Sequence, residues 1–212
     1  FDMNFHKIAP ELTIKFKKSK PNSKLNSLLR YRYIMLINDN YGTAFSGPEI
    51  VYNKTQTQHR FNDITYQLTF TDAQQPFSIH ANLQEGGQRN NSTGVVIDEM
   101  IKLAVTADYQ YKFKEKNKGI NVRLFAGTFI GTSPLDAAPY RFRLSGQRGY
   151  QDYLFDHIYQ GRTETEGLLA NQFTETDGAF KFYSPVGQTG KWMTALNIKS
   201  SLGNLKLPVK IY

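Results

Sequence analysis

The chain has 212 residues, a net charge of +8 and no cysteine, which excludes a disulfide framework and a thiolate metal site. The mean hydropathy is −0.50, and no apolar run approaches the roughly 20 residues of a membrane-spanning helix, so a helical membrane protein is also excluded. Lysine and arginine are scattered through nearly every predicted strand and turn. A nucleic-acid partner, which requires basic residues clustered with aromatic ones, is therefore not expected.

Apolar and polar residues alternate along most of the chain, and this period-two pattern predicts β-strands. In chain order we predict strands at 7–17, 28–37, 64–71, 77–84, 102–114, 120–127, 140–145 (a short one), 192–202 and 205–211. Turns are predicted at 18–24, 72–76 and 115–118. Longer connections are predicted at 38–60, at 86–99 (rich in Gly and Asn) and at 131–139, and the longest break at 146–191.

The stretch ITYQLTFTDAQQPFSIHANLQ (64–84) poses the main question, because its hairpin has one apolar and one polar face. The apolar face could meet another sheet or lipid. Strands of about ten residues, charged side chains in mid-strand and apolar faces that end in Tyr or Phe favour lipid. We therefore predict an all-β fold, an antiparallel transmembrane β-barrel of the outer-membrane type, present here as part of a larger barrel. A soluble all-β sandwich has the same periodicity and is the alternative.

Short and longer connections alternate along the chain, as is typical of outer-membrane barrels. The break at 146–191 does not fit this alternation, because a short connection should follow a seventh strand at 140–145. Either an additional strand lies within 153–160 or 178–184, or the strand count is off by one. Residues 1–212 otherwise read as one domain with a long loop at about 146–191.

The segment 140–192 lacks alternation and is rich in Gly, Asp, Arg and Tyr. Acidic residues, including Asp152 and Asp156, mix with arginines, including Arg148 and Arg162. The segment is expected to be an ordered loop that enters the barrel lumen and pairs its charges with the wall, because long ordered loops tend to be functional. A solvated surface loop is the alternative.

Several motifs resemble one protein family. They are GQRGYQDYLFDHIYQGR, TDGAFKFYSPVGQTGKWMTALNIK, LPVKIY, FHKIAP and KNKGINVRLFAG. These motifs look like the C-terminal outer-membrane β-barrel region of Bacteroidota proteins that carry an aminopeptidase-N-like (gluzincin) metallopeptidase domain upstream. The resemblance implies further strands before residue 1 and after residue 212. It also implies that any zinc and any peptidase activity belong to the upstream domain.

A fainter similarity concerns Arg148, Gly149 and Tyr150. Outer-membrane assembly-factor barrels carry an Arg-Gly-aromatic signature on a long loop that reaches into the lumen. The resemblance implies that Arg148 is held there by acidic residues of the inner wall, as a charge-assisted pair. The candidate lumen-loop motif is then Arg148, Gly149, Tyr150, Asp152, Asp156 and Arg162.

No catalytic, cofactor-binding or metal-ligating residues are predicted in this chain. The gluzincin reaction needs H-E-x-x-H, and none of His6, His59, His80 and His157 is followed by Glu. Asp156-His157 has no serine placed beside it by a G-x-S-x-G motif, and GQTGKW (187–192) lacks the spacing of a phosphate loop. Acidic pairs such as Asp152 with Asp156 are more often solvated than catalytic.

We therefore expect a bacterial outer-membrane barrel segment that anchors a larger metallopeptidase-like protein and contributes no chemistry itself. Its expected partners are outer-membrane lipid and other outer-membrane or periplasmic proteins in a complex. A barrel that assembles or translocates outer-membrane proteins is the first alternative, and a soluble all-β binding module is the second.

Overall fold

A computed structural model describes residues 4–16, 20, 22–46, 49–90, 96–114, 118–130, 140–162, 166–182 and 186–201. The fold is all-β and antiparallel. The strands are β1 (Asn4–Ile8), β2 (Glu11–Lys15), β3 (Leu25–Ser46), β4 (Glu49–Phe70), β5 (Phe77–Asn90), β6 (Val96–Lys112), β7 (Gly119–Phe129), β8 (Phe142–Arg143), β9 (Gln188–Thr189) and β10 (Trp192–Ser200). No helix in these ranges is long and apolar enough to cross a membrane.

One large sheet contains every strand except β8 and β9. Its order is β1-β3-β4-β5-β6-β7-β10, with β2 also paired to β3, and all these pairs are antiparallel. β8 and β9 form a separate two-stranded sheet. Within the described ranges the large sheet is open, because its outermost strands are not paired with each other.

The predicted strand at 7–17 is two strands on the same edge. β1 and β2 both pair with β3, and the register continues across the gap: Ile8 lies opposite Met35 and Glu11 opposite Arg32. Pro10 explains the interruption, because proline has no N–H to donate to a ladder. Its carbonyl still accepts a hydrogen bond from the Tyr33 amide at 3.2 Å.

The predicted loops at 38–60 and 86–99 are wrong over most of their length. β3 continues to Ser46, β4 begins at Glu49, and these strands stay paired from Leu25–Phe70 to Ser46–Glu49. β5 likewise continues to Asn90, and β6 begins at Val96. A ladder needs only backbone groups, so the pairing extends beyond the residues whose apolar alternation reveals it. The turn at 72–76 and strands over 64–70, 77–84, 102–112, 120–127 and 192–200 are confirmed.

The predicted wall strand at 140–145 is also wrong, because only Phe142–Arg143 is extended and it pairs with β9. Residues 153–160 and 178–182 contain no strand. The connection from β7 to β10 therefore leaves the sheet at the end where β3 joins β4 and β5 joins β6. Those two connections are residues 47–48 and 91–95, shorter than 71–76 and 113–118 at the other end, so the predicted alternation of short and long connections is wrong. The strand predicted at 205–211 and the loop at 131–139 lie outside the described residues.

The apolar face of the large sheet is exposed. One row across it, read from the registers, runs Leu12, Tyr31, Ile64, Leu83, Leu103, Thr128, Trp192. Trp192 is 67% exposed, Leu12 61% and Ile64 40%, although all three side chains are apolar. The core instead lies on the opposite face, where the connection between β7 and β10 packs.

Two apolar clusters attach that connection to the sheet. In the first, Tyr140 packs with Ile34, Leu36, Phe61 and Met100. In the second, Phe142 packs with residues of β7 and β10, namely Phe125, Met193 and Ala195. Gly127 makes room for Phe142, because a Cβ at this position would lie 2.5 Å from the Phe142 ring.

Replacing Gly127 with valine should therefore destabilise the protein by about 1–3 kcal/mol, the usual result of overpacking a core. The measurement is the thermal unfolding midpoint of the full chain. Ala126→Val is the matched control, because Ala126 is the exposed neighbour on the opposite face. Equal midpoints for the two variants would contradict the placement of Phe142 against β7.

Candidate functional site: the segment on the polar face

The polar face carries a row of charged and amide side chains that crosses the sheet. The registers place Glu11 opposite Arg32, Arg32 opposite Asp63, Asp63 opposite Gln84, and Gln84 opposite Lys102. Asp63, Gln84 and Lys102 are only 3%, 2% and 5% exposed. Burying such groups is costly unless each finds a partner.

The segment 140–191 supplies most of those partners. Tyr153 donates its hydroxyl to Oε1 of Gln84 at 2.5 Å, and the Tyr140 carbonyl accepts from Nζ of Lys102 at 3.1 Å. The Lys102 ammonium also lies 4.4 Å from the ring centroid of Phe142, within cation–π range. Asp63 is satisfied from the sheet itself, by Asn82 Nδ2 at 2.9 Å.

Asp156 is the strongest link between the segment and the sheet. Its carboxylate accepts two hydrogen bonds from Arg32, at 2.8 and 2.6 Å, and a third from Nζ of Lys7. Burial alone would raise the pKa of Asp156, but the hydrogen bonds from Arg32 and Lys7 outweigh it and lower the pKa. The bidentate pairing with a guanidinium is the geometry that makes such bonds strong.

A second link lies at the other edge of the sheet. Glu175 pairs with Lys199 of β10 and with Lys181 of the segment, each at 2.8 Å. The hydrogen bonds from Lys181 and Lys199 lower the pKa of Glu175 to about 2. Nearby, Arg123 of β7 donates to the Asp177 carbonyl at 2.6 Å. The segment is thus fastened to β1 and β3 at one edge and to β7 and β10 at the other.

The segment is internally braced around Asp152 and Arg162. The Asp152 side chain is 3% exposed and accepts from both terminal nitrogens of Arg162 at 3.3 Å. It also accepts from the His157 amide at 2.9 Å. Arg162 donates to the Gly149 carbonyl at 2.8 Å, and its guanidinium lies 4.7 Å from the Phe155 ring centroid. These contacts, together with a hydrogen bond from the Gln151 amide to the Arg148 carbonyl at 2.9 Å, hold residues 148–162 in one compact turn.

Arg148 and Gly149 lie inside this turn. Arg148 is 3% exposed, and its guanidinium lies 5.9 Å from the ring centroid of Phe173 within the segment. Gly149 begins a short 3-10 turn, Gly149–Gln151, which contains Tyr150. A Cβ at Gly149 would lie 2.7 Å from the Arg162 carbonyl oxygen, so only glycine fits this close approach.

The six candidate residues therefore fall into different places. Five of them, Arg148, Gly149, Tyr150, Asp152 and Arg162, belong to the turn. The side chain of the sixth, Asp156, leaves the turn and contacts the sheet. Across this contact the Asp156 carboxylate of the segment faces two cations of the sheet, Lys7 and Arg32. The sequence does not identify Lys7, Arg32, Gln84 and Lys102 as neighbours, since only the strand registers bring them together.

No triad forms at Asp156-His157 in the described contacts. The Asp156 carboxylate is taken by Lys7 and Arg32, and His157 is exposed with its ring 6.4 Å from that of Tyr159. Among the residues that the structure describes, no group of three or more His, Asp or Glu side chains is placed to hold a metal ion. The described contacts of Asp156 and Glu175 attach the segment to the sheet.

A scan against protein-family models, a search of curated proteins and a search of solved structures each gave no match.

Replacing Asp156 with asparagine should loosen the segment from the sheet. The change leaves Arg32, which is 14% exposed at its side chain, without its main anionic partner and should cost about 1–3 kcal/mol. Limited proteolysis of the full chain, followed by peptide mapping of 140–191, measures how far the segment loses its protection from protease. Asp72→Asn is the control, because Asp72 pairs with Lys24 and neither residue belongs to the segment. Unchanged protection in Asp156→Asn would mean that this link does not hold the segment.

Acid should weaken both links. The pKa values of Asp156 and Glu175 are lowered on folding, so their stabilisation is complete above the usual carboxyl range and is lost as the pH falls through the lowered values. The thermal midpoint should therefore be flat near neutrality and fall below about pH 4. The double variant Asp156→Asn, Glu175→Gln should start lower and fall less steeply. If the thermal midpoints of the double variant and the wild type fall equally steeply with pH, these carboxylates are not the source of the fall.

Proposed function

We propose that the chain is part of the wall of an outer-membrane β-barrel, with lipid against its apolar face and the segment 140–191 inside the barrel. One observation supports this most directly. The sheet covers its polar face with a packed segment and leaves its apolar face bare, the reverse of a sheet in water. Contiguous exposed apolar surface of this kind indicates a membrane or a partner.

The dimensions of the apolar face fit a bilayer. On β6 the outward residues run from Ile101 through Val105 and Tyr109 to Tyr111. The ten steps between these residues, at about 3.4 Å each and tilted by about 40°, give a band about 26 Å tall, close to that of outer-membrane barrels. Aromatic rings gather at the end of the sheet where β4 joins β5, and Phe70 stacks there on Phe77 at 5.3 Å. Such rings favour the interface between lipid and water.

The role that we propose for this wall is anchoring. The motif resemblance to barrels of gluzincin-family proteins supports a larger parent protein held at the outer membrane, with any zinc chemistry in a domain upstream. We propose no reaction for the residues described. Other outer-membrane or periplasmic proteins are the proposed partners of the parent.

A second candidate is a barrel that assembles or translocates other outer-membrane proteins. The burial of Arg148 and the close packing of Gly149 within an inward-folded segment favour it. Charge reversal, Arg148→Glu, separates the two candidates when assembly of other barrels is measured in cells that retain normal levels of the variant. Lost assembly supports the second candidate, and normal assembly supports anchoring alone. A soluble binding module is disfavoured by the bare apolar face.

The consecutive residues Tyr66 and Gln67 give a matched test of the membrane proposal. Tyr66 lies on the bare face, 39% exposed, and Gln67 lies on the polar face. Against lipid, Tyr66→Lys should cost about 2–4 kcal/mol near mid-bilayer, whereas Gln67→Lys should cost little. In water an exposed Tyr66→Lys would cost less than about 0.5 kcal/mol. The folded fraction of the full chain in lipid vesicles decides between these results, and near-wild-type folding of Tyr66→Lys would overturn the proposal.

A further inference from the structure

A surface cavity of about 360 Å³ lies at the border of the apolar face, towards the end of the sheet where β3 joins β4 and β5 joins β6. Two neighbouring rows of outward residues line most of it. The first row contains Tyr33, Asn62, Glu85 and Ile101, and the second contains Arg60, Gly87 and Glu99. The cavity therefore begins where the apolar band ends, and it opens on the same face.

Gly87 creates the depression. The registers place it between Arg60 and Glu99, so two long charged side chains stand on either side of a residue that has none. Ile101 and Ile130, 40% and 47% exposed, line the cavity on the side of the apolar band. A ligand seated here can thus touch charged groups and apolar surface at once.

The charges around the cavity are of both signs and cancel. Arg60 and Arg89 are the cations, and Glu85 and Glu99 are the anions. Gln58 Oε1 accepts from Nε and Nη2 of Arg60, at 3.0 and 2.7 Å, which fixes that guanidinium. The Nη1 hydrogens of Arg60 then have no partner among the residues of the described structure.

The contacts among the remaining charges are weak. Arg89 reaches Glu99 only at 3.5 Å, with side chains 44% and 63% exposed. Asn62 reaches Glu85 only at 3.5 Å. Distances at this limit of hydrogen bonding, in exposed side chains, contribute little, so the groups can exchange these contacts for a ligand at small cost.

We propose that this cavity binds the headgroup of a zwitterionic phospholipid of the phosphoethanolamine type. Arg60 and Arg89 take the phosphate, and Glu85 and Glu99 take the ammonium. The acyl chains then continue from Ile101 and Ile130 onto the apolar face. The inference rests on the proposed membrane function, since it needs lipid against that face.

Charge balance selects this ligand. An anionic headgroup would meet two carboxylates without a cation to offer them, and a choline headgroup has no N–H to donate to a carboxylate. Guanidinium groups bind phosphate in a bidentate manner, and carboxylates accept charge-assisted bonds from ammonium. A free soluble zwitterion would satisfy the charges but would leave the apolar side of the cavity unused.

The test uses the full chain reconstituted in vesicles of equal parts phosphatidylethanolamine, phosphatidylcholine and phosphatidylglycerol. Native mass spectrometry after gentle detergent release counts the lipids that stay bound. We expect phosphatidylethanolamine to be retained over the other two. The double variants Arg60→Gln/Arg89→Gln and Glu85→Gln/Glu99→Gln should each reduce that preference about tenfold, because each removes charge-assisted bonds. The control Lys24→Gln/Asp72→Asn, which removes an exposed pair in a remote turn, should keep it.

Vesicle flotation before the mass measurement tests the membrane proposal separately from the lipid site. Failure of the wild-type chain to float with vesicles overturns both the membrane proposal and the lipid site. Normal flotation without lipid preference overturns only the site. Preference for phosphatidylglycerol that survives Glu85→Gln/Glu99→Gln also overturns it, because the site would then read phosphate alone. Free phosphoethanolamine is added to a parallel sample before release, and its retention in place of the lipid would contradict the role of the apolar side.

Discussion

The rest of the structure depends on the need to satisfy a row of polar groups buried on one face of the sheet. Arg32, Asp63, Gln84 and Lys102 lie side by side on neighbouring strands. The sheet itself satisfies Asp63, but Arg32, Gln84 and Lys102 take partners from outside it. The segment between β7 and β10 meets this need with a carboxylate, a hydroxyl and a carbonyl at matching positions. An unpaired buried charge costs far more than a paired one gains, so the segment and the row must be present together.

This arrangement inverts the usual division between core and surface. In a water-soluble sheet the apolar residues would gather inward and the polar ones would need no cover. Here the inward face is polar and is covered by a segment that is itself rich in Asp, Arg and Tyr, with only two modest apolar clusters for attachment. The outward face keeps the larger share of Ile, Leu and Val, and this is the property on which both proposals rest.

Period-two alternation was enough to predict an all-β antiparallel sheet and most of its strands, since most apolar residues of β4–β7 lie on one face. The exceptions, such as Phe61 and Met100, pack against the segment on the other face. It failed over the predicted loop at 38–60, where the sequence does not alternate. It also failed at 140–143, where Tyr-Arg-Phe-Arg alternates although only Phe142–Arg143 is extended and pairs with β9. The composition of 140–192 indicated an ordered segment with charges to pair. The actual partners could not be predicted, because Lys7 and Arg32 are far from Asp156 in sequence and meet it only through strand register and the fold of the turn.

The pairing of β7 with β10 has a consequence for how the molecule acquires its structure. These neighbouring strands are separated in sequence by the whole segment, so their ladder closes the largest loop in the sheet. The entropic cost of closing a loop grows only slowly with its length, but it must be met before the ladder stabilises anything. Phe142, next to Gly127, and Glu175, next to Lys199, fasten the segment close to both strands and shorten the effective loop. The segment is therefore placed to act as a template: β10 joins the sheet most readily after the segment has settled on the polar face.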